Sequence, residues 1–290
     1  MTVTCIGKLN VDLFYPVKEI KVNENHVSEE IYINVGGKAT NVSVALAKLG
    51  VNSTLITKVG EDEFGDFALK KLKEFGVNVI ADRIERTGIT FIIVDEKANN
   101  TMFNYLGANK FLCSDDVLRN EEIISKSDIV YFQSGIEPEV LNNLKKTNKN
   151  IFVELSEFID LSLLNGISYA SMNESEALRI SNTTNVEDAA DKLISLGIEK
   201  LFIKLGSKGS FYYSKKEKIF CESFKINPID TTGAGDSFTA GIIYGLLNRM
   251  LVKKILKFAN ACGAITCLKK GTTESFPTLQ QINSFLGPSL

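Results

Sequence analysis

The chain has no tryptophan and only one histidine, His26, which stands in a polar stretch. That scarcity excludes a histidine-based nucleophile relay. The five cysteines, Cys5, Cys113, Cys221, Cys262 and Cys267, are odd in number, scattered, and never spaced as CxxC. Free thiols in a reducing cytosol fit this usage, so a cytoplasmic protein is expected. Cys262 and Cys267 fall inside FANACGAITCLKKG, where small apolar fillers of a packed helix explain them better than a metal or redox pair. An excess of one charge is also missing. The 33 Lys/Arg against 35 Asp/Glu give a formal net charge of −2, spread along the chain, with no basic face for nucleic acid. Apolar stretches such as AGIIYGLL fall far short of the roughly 20 residues that span a bilayer. The opening MTVTCIGKLNVDLF alternates like a strand and lacks the regions of a secretory signal, so no membrane role is expected.

What is present is a repeated alternation. Residues 2–7 and 52–59 read as strands, and between them NVSVALAKLG has helical spacing and stops at Gly50, a strand-helix-strand unit. The alternation returns at DIVYFQ, NIFVEL, ISYASM and EKLFIKL, which predicts a mostly parallel sheet covered by helices. Residues 8–35, with DLFYPV and SEEIYINV, and residues 88–106, with ITFIIVDE and TMFNYL, break the rhythm. Both read as extended pieces without a crossover helix, expected to pair as a small separate layer serving as lid or interface. From Ala234 to Leu286 the chain reads as largely helical.

The most chemically informative segment is IDTTGAGDSFTAGI, residues 229–242, where a glycine-rich turn opens into a helix. Helix N-termini carry unpaired N–H groups and partial positive charge, so amides around Gly233, Ala234, Gly235 and Asp236 suit an anion such as phosphate. On these residues alone, a helix capped by Asp236 after a flexible turn is the better reading. Near the other end, NVGGKATNVSVALAKLG places Gly36 and Gly37 before a helix, letting the main chain pass close to a ligand.

DTTGAGDSF closely resembles the C-terminal signature of the ribokinase-like carbohydrate kinases, and NVGGKATN resembles the family's other diagnostic glycine pair. The resemblance runs through nearly the whole chain in one order. It implies a single domain over residues 1–290: a three-layer α/β sandwich with a mostly parallel central sheet and a small β-sheet lid built from residues 8–35 and 88–106. It implies an ATP-dependent kinase that transfers the γ-phosphate to a primary hydroxyl of a small sugar or sugar derivative, with Mg²⁺. By position Asp236 inherits the role of catalytic base and Gly233, Ala234 and Gly235 the anion hole. Asn10, Asp12, Gly36, Gly37, Lys38, Asn41 and Asn109 fall where the family holds its acceptor. Asn173, Lys204, Gly206, Gly209 and Asn260 fall on the nucleotide side. Glu176, in the NxxE pattern of MNESEA, implies Mg²⁺ held through water, although a solvated helical Glu explains it as well. Lys204 is equally a solvated lysine at a strand end. Asp230 implies a monovalent cation, K⁺, or only braces its turn. Gly60 and Gly65, in VGEDEFG, are expected to form turns.

One departure stands out. Ribose-specific members carry a glutamate after the central strand, where this chain has Gln133, Ser134 and Gly135, so the acceptor is left open. A nucleoside kinase of the same family and a non-catalytic sugar sensor are the alternatives. A dehydrogenase is not supported, because no GxGxxG follows the first strand. The expected partners are the sugar and ATP, with a second copy of the chain joined through the apolar lid.

Overall fold

The computed structural model describes residues 1–96, 100–156 and 159–287; positions 97–99, within the second expected lid segment, lie outside the described residues. Among the described residues the main sheet has nine strands: β1 (Thr2–Ile6), β4 (Asn52–Val59), β5 (Asn78–Arg83), β8 (Ile129–Gln133), β9 (Ile151–Glu154), β10 (Tyr169–Asn173), β11 (Lys200–Lys204), β12 (Gly209–Ser214) and β13 (Lys218–Glu222). Their order is β13-β12-β11-β10-β9-β8-β1-β4-β5. All neighbours from β5 to β11 run parallel, and β12 and β13 close one edge antiparallel.

Strands buried on both faces need apolar residues at consecutive positions. IVYFQ of β8 and IFVE of β9 are buried throughout. Along β8, Ile129 and Tyr131 enter one core while Val130 and Phe132 enter the other. The first core also receives α1 (Lys38–Lys48), α2 (Glu63–Glu74), α8 (Ala234–Leu247), α9 (Val252–Thr266) and α10 (Leu279–Leu286). The second receives α3 (Ser114–Arg119), α4 (Glu121–Lys126), α5 (Pro138–Thr147), α6 (Glu174–Ser181) and α7 (Val186–Ser195). The result is three layers, helix on sheet on helix.

The segments that interrupt the alternation form a separate four-stranded sheet, β3-β2-β6-β7, from β2 (Asn10–Val17), β3 (Tyr32–Gly36), β6 (Gly88–Asp95) and β7 (Asn100–Tyr105). β2 pairs with β6 in parallel, with Asp12 opposite Thr90; β3 and β7 pair antiparallel on either side. Tyr32, Ile33, Met102, Phe103 and Tyr105 of this sheet are exposed. In the main sheet β1 lies between β4 and β8, so successive connections depart from it in opposite directions. Crevices for ligands open at the carboxyl ends of strands at such a switch point. Gly7 to Leu9 after β1, and Gln133 at the end of β8 with Ser134 and Gly135 after it, occupy that position. No helix among the described residues is long and apolar enough to cross a membrane.

Candidate active site

Two helices begin at this crevice. α1 starts after Gly37, and α8 after Gly233, whose φ of 77° is left-handed backbone that favours glycine. Their first turns meet. Asn41 of α1 donates from Nδ2 to Oδ2 of Asp236 at 2.7 Å, joining the two sequence signatures. Asp236 is 8% exposed. Burial pushes its carboxyl above the usual range, the positive charge of Lys38, the Asn41 amide and Lys204 oppose that rise, and Glu154 adds to it. Asp236 is therefore a carboxylate with raised basicity in the first turn of α8, beside the glycine turn that opens it, a disposition suited to taking a proton from an alcohol.

The turn has a definite donor set. The Ala234 amide donates to the Thr231 carbonyl at 3.2 Å and that of Asp236 to the Gly233 carbonyl at 3.1 Å. Among the described residues the amides of Gly233 and Gly235 have no acceptor, which leaves both able to donate to an anion, whereas that of Ala234 is occupied within the turn. Asp230 braces the turn: Oδ1 accepts from the Thr232 amide at 2.9 Å and Oδ2 from the Gly271 amide at 3.0 Å.

The residues expected to hold the acceptor gather around β2 of the small sheet. Asp12 is 7% exposed and lies so close to Gly36 that any side chain at position 36 would overlap its carboxylate. Burial pushes Asp12 from 3.8 up to about 6; a hydrogen bond with Thr90 opposes the rise and the charge of Asp236 adds to it. The two acids thus sense one another across the crevice. A hydrogen-bonded chain orients Asp12. Asn109 Nδ2 donates to Asn10 Oδ1 at 2.8 Å, and Asn10 Nδ2 donates to Thr90 Oγ1 at 3.1 Å. Having accepted there, the Thr90 hydroxyl is left to donate to Asp12. Thr90 carries no family motif; only the pairing of β2 with β6 brings it here.

Several expected ligands are committed to the protein itself. Asn109 is 3% exposed; it accepts from the Leu9 amide and donates to the Leu9 carbonyl, both at 2.9 Å. These bonds tie the 3₁₀ turn Gly107–Phe111 to the backbone leading into β2 and commit the Asn109 amide to the protein. Asn260 donates to the carbonyls of Cys221 and Glu222, both at 3.1 Å, pinning the end of β13, so its donor is not left for adenine. Gly209 is dictated by its own fold, since a side chain there would strike the Cys221 carbonyl, whereas Gly206 faces open space. Asn173 and Glu176 form a reciprocal cap on α6: Asn173 Oδ1 accepts from the Glu176 amide and Glu176 Oε2 from the Asn173 amide, both at 2.7 Å. Glu176 Oε1 remains 3.8 Å from Lys38 Nζ. Gly60 and Gly65 pack against the Thr87 amide and the Gly60 carbonyl, leaving no room for side chains in that turn. Lys204 pairs with Glu154, a buried acid that no motif indicates; its only sequence signal is a carboxylate ending the apolar run IFVE.

A family model described as pfkB family carbohydrate kinase matches residues 2–279. The ribokinase of Staphylococcus aureus (strain COL) is 29% identical over 299 residues, covering 97% of this chain and 98% of that protein. The deoxyribokinase of Salmonella typhi is 27% identical over 302 residues, covering 99% of each. The Arabidopsis thaliana ribokinase structure complexed with ribose and ATP superposes with a TM-score of 0.87 at 26% identity, covering 99% of each chain.

Proposed function

We propose, from the fact that this chain belongs to the pfkB family of carbohydrate kinases and is an ATP-dependent kinase of a sugar hydroxyl, that its acceptor is a small sugar phosphorylated on a primary hydroxyl, with Asp236 as base. The observation that carries this is the Asn41–Asp236 hydrogen bond, which sets the base between the acceptor cradle and the phosphate turn. The acceptor oxygen forms the new bond to the γ-phosphorus, the bond from that phosphorus to the ADP oxygen breaks, and the hydroxyl proton passes to Asp236. Such a loose transfer needs little covalent help, so positioning and charge supply most of the rate. Asp12 and Asn10 hold acceptor hydroxyls, Gly36 and Gly37 give it room, and Lys38 stands beside both acceptor and phosphate. The amides of Gly233 and Gly235 receive charge that develops on the transferring group. Lys204, Gly206 and the turn after β11 border the nucleotide.

The donor set suits magnesium. Mg²⁺ takes one or two carboxylates, several waters and substrate phosphates, and the half of the Glu176 carboxylate not used in its cap offers that single anchor. The ion, when bound with ATP, supplies charge neutralisation on the phosphates. Both oxygens of Asp230 accept one backbone amide each, so the carboxylate braces the turn; each oxygen keeps a lone pair with which it would also hold K⁺.

A coupled ADP-release assay over D-ribose, 2-deoxy-D-ribose, hexoses, 2-keto-3-deoxy acids and nucleosides tests the acceptor. Turnover of a free pentose or hexose well above that of any nucleoside is expected, and the reverse ranking would assign a nucleoside kinase. No turnover with any acceptor, despite nucleotide binding, would make the protein a sensor. The exposed apolar residues of the lid suit burial against a second copy. Sedimentation should show a dimer that Phe103→Glu dissociates; a monomeric wild type would refute this.

Asn41→Ala removes a donor that favours the ionised form of Asp236. Its acid-side kcat limb should therefore move to higher pH than in the wild type. A pH–rate profile with an unmoved limb would dissociate Asn41 from the base.

A further inference from the structure

Glu154 is 0% exposed at the end of β9, and an ionised carboxylate in such a place is costly unless paired. Its two oxygens are divided. Oε1 accepts from Lys204 Nζ at 2.5 Å, and Oε2 accepts from Thr239 Oγ1 at 2.9 Å. Lys204 Nζ also reaches Thr239 Oγ1 at 3.3 Å. Thr239 lies one turn beyond Asp236 in α8, so the pair is locked to the helix that carries the base. A buried pair contributes little stability over apolar residues of the same volume, which leaves its presence unexplained by packing alone.

The place of the ammonium supplies the explanation. A methyl group on Gly235 would meet Lys204 Cδ and Nζ, each at 3.7 Å, and nothing else within 4 Å beyond its chain neighbours and its own helix backbone. The cation therefore stands beside Gly235, within van der Waals reach of the first turn of α8, whose Gly235 amide has no acceptor among the described residues. An ammonium has three N–H donors; Glu154 and Thr239 take two, and among the described residues the third has no acceptor.

We propose that Lys204 is a catalytic residue that contacts the transferring phosphoryl group, and that Glu154 is the positioning residue that holds it there. This rests on the kinase reading above and goes beyond a lysine at the edge of the nucleotide. In a loose transfer, charge spreads over three equatorial oxygens, and two amides cannot meet all three. A lysine head on a flexible stem is a poorly directed point charge; the buried carboxylate gives it one position, so that no reorganisation is needed when charge develops.

The test compares Lys204→Met, Glu154→Gln and the double variant, using MgATP with D-ribose or 2-deoxy-D-ribose, whichever the wild type turns over faster. Lys204→Met should lower kcat by about 10²-fold, while acceptor KM and the Kd for MgADP change by less than about threefold. Glu154→Gln should lose at least about 10-fold in kcat, and the double variant no more than Lys204→Met, because Glu154 acts only through the lysine. Lys204→Met strands a buried carboxylate and is the variant at risk of not folding. The double variant removes both charges and carries the measurement if it does. A double variant with kcat within about threefold of the wild type would overturn the proposal. So would a loss of MgADP affinity as large as the loss of rate, since the lysine would then bind nucleotide in the ground state. Asp236→Asn, assayed in parallel, reports on the kinase reading itself: if it retains full turnover that reading falls, whatever Lys204 does.

Discussion

Asp236→Asn is expected to lower kcat by roughly 10²- to 10⁴-fold while the protein stays folded and binds both ligands. The amide keeps the size of the carboxyl but cannot take the proton. Asparagine can still accept the hydrogen bond from Asn41 and can serve at a helix N-terminus, so a merely structural Asp236 would make this variant almost silent. Loss of kcat with an unchanged melting temperature is the expected pair of results, with KM changing little. Near-wild-type turnover would falsify the assignment of the base.

Asp12→Asn should have opposite effects on stability and on function. Its carboxyl is raised from 3.8 to about 6 in the folded protein, chiefly by burial. A raised carboxyl binds its proton more tightly when folded, so native stability falls as pH rises from about 4 to 6, and the penalty is complete above the folded value. The difference amounts to about 3 kcal/mol at neutral pH. An amide at position 12 escapes that penalty and should melt about 5 °C higher at pH 7, with the gain shrinking toward pH 4. Acceptor binding should weaken by roughly 10- to 100-fold, as expected when a charged hydrogen-bond partner is lost. ATP-analogue affinity should hold. Calorimetry and thermal melts on one variant read both effects: equal loss of nucleotide affinity would remove Asp12 from the acceptor site, and a destabilised Asp12→Asn would refute the burial penalty. A more stable variant that binds acceptor poorly would mark a residue retained for binding.

The parts of the fold that were legible in sequence are those where burial dictates composition. IVYFQ and IFVE announce themselves because a strand covered on both faces cannot alternate. β5, with NVIADR on an exposed edge, carries too little apolar content to do so, and the half-exposed pattern of β13 gives as weak a signal. The antiparallel closure through β12 and β13 follows from pairing, which no local pattern encodes. At the site, Asp236, Asp12 and the glycine turns are visible as motifs. Their supports are not. Thr90 reaches Asp12 only through the register of two lid strands, and Glu154 meets Lys204 across 50 positions of sequence. The three-residue spacing of Asn173 and Glu176, legible as one helical face, is in the structure a reciprocal helix cap. The commitment of Asn109 and Asn260 to backbone likewise depends on strands distant in the chain.

The hydrogen bond between Asn41 and Asp236 spans 195 positions of sequence, and this bears on how the protein is made. At a translation rate of roughly 5–20 residues per second, the lid strands and Asn109 leave the ribosome on the order of ten seconds before α8 does. During that interval a nascent chain already holds the residues assigned to the acceptor, but neither the proton acceptor nor the phosphate turn exists. On the proposed assignment, the ability to consume ATP arises only when α8 docks against α1, and incomplete chains are thereby kept from spending nucleotide.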